Sequence, residues 1–182
     1  TQAPFEGFAA YVWGPDVSEP DRATFNQTAF DSVLEIIETA RANDLELIFL
    51  VTPSHGYADY YYDAIGAWDV IEQWLARLSG RATVYSFSQA NDWVNEPITR
   101  SMTYWNDTFH FSLTMGRGIL TGLAGLPEAA RPNNFMERLT PERVAPHVES
   151  RRQAVRRWAQ ANPSLVARFE DASQRWLEQN RR

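Results

Sequence analysis

The chain has 182 residues, 44% hydrophobic and 22% charged, with a formal net charge of -6 and no cysteine. That length suits one domain with a sizeable core, and the composition is that of a folded globular chain. The acidic balance gives no electrostatic ground for nucleic-acid binding, and the missing cysteine excludes a disulfide framework, a thiolate nucleophile and a Cys-ligated zinc.

Residues 1–23 hold an aromatic patch, PFEGFAAYVWG, readable as a short strand, and then a proline- and acid-rich loop. From Asn26, Phe30, Val33, Leu34, Ile37 and Ala40 recur at three- and four-residue spacing, which predicts an amphipathic helix ending near Asn43. LELIFLV (Leu45 to Val51) follows as a strand buried on both faces. It is the longest apolar run and far short of the roughly 20 residues a membrane helix needs, so no span is expected, and no basic-then-apolar leader opens the chain.

After the TPSHG loop, the aromatic-rich segment from Tyr57 predicts helix, interrupted near Gly66 and stopped at Gly80. ATVYSFS is a second strand candidate. A polar loop from Gln89 to Asp107 then leads to a glycine-containing helix capped by Ser112. This order fits a parallel α/β sheet whose strand C-terminal ends carry the site. Beyond Gly125, LPEAARPNNFMERL reads as linker. Thr140 and Pro141 start a helix, and Pro163 starts another, giving a C-terminal helical hairpin. The expected division is residues 1–125 as the α/β domain and 126–182 as linker and appendage.

Of three histidines, His147 reads as a surface residue on a charged helix, whose arginines in ESRRQAVRRW read as a solvated face. His55 follows the buried strand and is either a site residue or a loop hydrogen-bonder. Asp107 and His110 form the most pointed pair, because a carboxylate beside an imidazole fixes its tautomer and stabilises the imidazolium formed when it takes a proton. Asp107 as a helix-start cap is the plain alternative. A divalent-metal set of His55, Asp107 and His110 ranks last, and no metal or other cofactor is assigned. Tyr57, Tyr60, Tyr61, Tyr62 and Trp68 read as core for at least half of their number, with a sugar-stacking platform as the other use. Gly116 and Gly118 read as close-packing residues.

Five ordered pieces, LEIIETARANDLELIFLVTPSH, WDVIEQWLARL, VYSFSQANDWVNEPIT, MTYWNDTFHFSLTMGRGIL and FMERLTPERVAPHVESRRQAV, resemble a bacterial SGNH-hydrolase-like (GDSL-type) family. Its relatives move acyl groups on cell-envelope polysaccharides. The resemblance implies a parallel-sheet, three-layer, flavodoxin-like core, incomplete at its N-terminus, with the C-terminal helical hairpin appended. It also implies an esterase or O-acyltransferase acting on acylated carbohydrate, with Asp107 orienting His110 as general base, and a cell-envelope or periplasmic location. Ser54, His55 and the backbone N–H of Gly56 would line the oxyanion side, with Trp105 nearby.

The family's Gly-Asp-Ser nucleophile motif is absent, and none of the eleven serines sits in that context. The nucleophile lies on a stretch outside this sequence, has been lost, or is replaced by another residue. If it has been lost, the chain is a non-catalytic binding or scaffold domain.

Overall fold

The computed structural model describes residues 23–99, 101–107 and 109–180, with side chains to residue 171. The strand and loop expected within residues 1–22 lie outside the described residues.

Helix α1 (Gln27–Ala42) begins where the Asn26 side chain accepts from the Ala29 N–H at 2.9 Å, and its buried face carries Phe30, Ile37 and Ala40. Asp44, with φ of 54°, turns the chain out of the helix in the left-handed region. Strand β1 (Ile48–Val51) follows, then α2 (Gly56–Ala64) and α3 (Trp68–Ser79), parted by Gly66 at φ +67°. A parallel pairing needs a crossover of a dozen residues or more, and this helix pair supplies it. Strand β2 (Thr83–Ser86) accordingly lies parallel to β1, with Ile48 opposite Thr83 and Val51 opposite Ser86.

Helix α4 (Leu113–Leu123) starts at Ser112, whose hydroxyl accepts from the Met115 N–H. Strand β3 (Glu137–Leu139), helix α5 (Pro141–Ala161) and helix α6 (Pro163–Asn180) complete the described chain. The fold is mixed α/β, with six helices and a three-stranded sheet in the order β1-β2-β3 among the described residues.

Three expectations change. The segment after Gly125 is not only linker: Glu137–Leu139 pairs antiparallel with β2, so the sheet is mixed rather than all parallel. Val144, Val148 and Val155 of α5 share one core cluster with Phe30, Ile37, Trp68, Leu75 and Val84, so no break in the core falls at residue 125. Burying side chains such as Phe30, Leu75 and Val148 contributes roughly 1.5–3 kcal/mol each. Lastly, β1 is not buried on both faces: Phe49 and Val51 pack on the core, while Ile48 and Leu50 are 43% and 41% exposed. Among the described residues no strand pairs with its outer edge, and α1 covers only the inner face.

A second cluster, Phe87, Trp93, Trp105, Met115, Ile119 and Phe135, seats α4. Gly118 is required there, since a Cβ would stand 2.5 Å from the Trp93 ring. No helix among the described residues is long and apolar enough to cross a membrane.

Candidate functional site

The loop carrying Asp107 and His110 is a tight reversal between Trp105 and Phe111, which form an isolated antiparallel bridge. Asn106 N–H donates to the His110 carbonyl at 2.8 Å, and Ser112 N–H to the Tyr104 carbonyl at 2.7 Å. The base of the loop is anchored twice. Trp105 is 2% exposed and its Nε1–H donates to the Trp93 carbonyl at 2.8 Å. The Glu96 carboxylate accepts from the N–H groups of Thr103 and Tyr104 at 2.7 and 2.8 Å.

Within this frame Asp107 Oδ1 accepts from the N–H groups of Phe109 and His110, both at 2.8 Å, while Oδ2 lies 2.7 Å from His110 Nδ1. Asp107 thus caps the turn with one oxygen and orients the imidazole with the other. Burial works to raise its pKa, but the two backbone N–H groups and the His110 ring together outweigh that and hold the carboxyl below its ordinary range. The His110 side chain is 64% exposed. In its neutral form, a ring donating through Nδ1 keeps the lone pair on Nε2, as a general base requires.

The other residues singled out at the end of β1 are placed differently. His55 is 1% exposed: its Nδ1 accepts from Tyr57 N–H at 3.1 Å as the cap of α2, and its Nε2–H donates to the Glu96 carbonyl at 2.8 Å. Burial lowers its pKa, so it is a neutral structural ring wedged edge-on between Trp105 and Trp158. Gly56 is buried, and a Cβ on it would meet Trp158 at 2.6 Å and Asn95 at 2.7 Å. The buried ring of Trp105 supports the loop from beneath rather than offering a stacking face.

Ser54 is engaged by two partners, donating to Asp59 and accepting from Arg151 at 2.7 Å. Arg151 also donates to Asp59 at 2.6 Å and lies over the Trp68 ring. Among the described residues no group of three or more His, Asp or Glu side chains is placed to hold a metal ion, and His55 is not gathered with Asp107 and His110 to form one.

The C-terminal end of β1 opens on a cleft of about 630 Å³, walled by Leu50, Val51, Ser54, Ile71, Phe109 and Arg151 among others. Phe109, beside His110, belongs to both the dyad loop and this wall. A hollow of about 590 Å³ along the outer face of α1 lies apart from these residues. Tyr57 and Trp68, two of the five aromatics, are fully buried.

Sequence reasoning missed two buried groups on α5. His147, read as a surface residue, is 3% exposed, and Arg151, read as part of a solvated face, is 5% exposed. The signal was present, since both fall on the stripe of Val144, Val148, Val155 and Trp158. His147 Nδ1 lies 3.0 Å from Glu137 Oε2, and Nε2 lies 3.2 Å from Ser86 Oγ. That gives the order serine, imidazole, carboxylate, but Ser86 is 0% exposed and bonded to Ser88, so no substrate reaches it. Burial lowers the His147 pKa despite the Glu137 contact, which acts to raise it. No family model matches this chain, and neither a curated protein nor a solved structure matches it.

Proposed function

We propose that this chain supplies the acid–base half of an SGNH-type esterase or O-acyltransferase acting on acylated carbohydrate of the cell envelope. What supports the reading is a single arrangement: an exposed imidazole held through Nδ1 by a carboxylate that is itself fixed by two backbone N–H groups. In that role Nε2 of His110 takes the proton of a hydroxyl nucleophile as it attacks the acyl carbon, and later returns it to the departing oxygen. Asp107 stabilises the imidazolium between the two steps. The chemistry uses no cofactor. The nucleophilic serine is not assigned to any residue of this chain, and the finer three-layer flavodoxin-like core belongs to this proposal.

The test is ester cleavage or acyl transfer by the natural protein. His110→Ala is expected to lower kcat about a thousandfold, the scale of general acid–base catalysis, and retained activity overturns the reading. The second reading, a non-catalytic binding or scaffold domain, is favoured by the commitment of Ser54 to Asp59 and Arg151. Labelling with a serine-reactive fluorophosphonate separates the two, since an adduct on this chain excludes the scaffold.

A further inference from the structure

We propose that the cleft at the end of β1 receives the alkyl part of an acyl ester longer than acetyl, with its polar end at Arg151. This inference rests on the dyad reading and deepens it by naming the acyl group.

The first ground is continuity. Phe109 places its N–H on Asp107 Oδ1 and its side chain in the cleft wall, with its ring 6.2 Å from that of Tyr62. A ligand seated in the cleft is therefore beside the loop that holds His110. The second ground is wall chemistry. Leu50, Val51, Pro53, Ile65 and Ile71 give an apolar lining, and about 630 Å³ falls within the range of small-molecule sites and is far larger than an acetyl group needs.

The third ground is charge. The cationic side chain in the wall, Arg151, is already balanced by Asp59, both nearly buried at 5% and 8% side-chain exposure. A free carboxylate would bring a second negative charge toward Asp59 in a poorly solvated place, whereas a neutral ester oxygen would not. Arg151 spends only Nη2 on Ser54 and Asp59, and a guanidinium carries further N–H donors.

The test is binding to this protein followed through the side-chain methyl resonances of Leu50, Val51, Ile65 and Ile71, using hexanoyl glucose, acetyl glucose and hexanoate. The expected result is saturable shifts at those methyls with hexanoyl glucose, binding at least about tenfold tighter than acetyl glucose, as several buried methylenes imply. Hexanoate is expected to bind more weakly than the ester. Ile71→Trp, which fills the cleft, should weaken hexanoyl glucose at least about tenfold, and Ile65→Trp is the second filler should the first fail to fold. Absent shifts, equal affinity for the acetyl ester, tighter hexanoate binding, or indifference to a folded filler each overturns the proposal.

The dyad is read separately, from the tautomer of His110 in ring nitrogen spectra. Cleft binding with an imidazole whose tautomer ignores Asp107→Ala removes the catalytic reading and leaves an acyl-binding cleft. No cleft binding with an Asp107-dependent tautomer does the reverse.

Discussion

Two histidines in this molecule lean on carboxylates through Nδ1, and their surroundings are opposite. His110 meets Asp107 at 2.7 Å on an exposed loop, while His147 meets Glu137 at 3.0 Å inside the core with a serine at its other nitrogen. Judged by atom order alone, the buried set is the more complete. Access decides otherwise, because a side chain at 0% exposure offers nothing to a substrate. The buried set ties β2, β3 and α5 together, while the exposed pair is the one open to solvent.

The contrast is testable through stability. Arg151→Ala strands the Asp59 carboxylate in the core and is expected to cost about 3–5 kcal/mol in urea unfolding. His147→Ala leaves a void and strips Ser86 and Glu137 of a partner, for about 2–4 kcal/mol. His110→Ala should change stability by less than about 0.5 kcal/mol while removing activity. Equal losses at positions 110 and 147 would erase the distinction.

Acid sensitivity sharpens it further. Burial lowers the pKa of both His55 and His147, so the unfolded chain binds more protons than the folded one once pH falls below the ordinary histidine value of 6.5. Stability is therefore complete above that value and declines on acidification, by up to about 1.4 kcal/mol per pH unit for each ring. The lowered carboxyls of Asp107 and Glu137 add losses of the same sign at lower pH. Unfolding midpoints measured between pH 8 and pH 5 should fall, and His147→Gln should flatten the slope. Asp107→Ala is expected to cost only about 1 kcal/mol for the lost turn cap, with a changed His110 tautomer as its clearer readout.

Helices were the most legible part of the chain. Asn26, Ser112, Pro141 and Gly66 marked boundaries by their own chemistry, and α1 announced itself by periodicity. Strand β3 was hidden because three residues, one charged on each side of the register, make no pattern. The exposure of Ile48 and Leu50 was equally unreadable, since an apolar run does not tell an edge strand from a central one. For the site, the Asp107–His110 spacing sufficed to foresee a turn in which both face one way. His55 stayed open in the sequence for a physical reason: a strand-end histidine that caps the next helix looks like one that faces a ligand. The partnership of Arg151 with Ser54 and Asp59 could not be foreseen, because it joins residues 97 and 92 positions apart.

Those separations also govern assembly. Closing them costs loop entropy before any contact repays it, and the Arg151 wall of the cleft exists only where α5 packs on α2 and α3. A chain cut after Gly125 keeps Asp107 and His110 but loses β3, α5 and with them the guanidinium. Such a piece would carry the dyad's sequence without the folded floor beneath it.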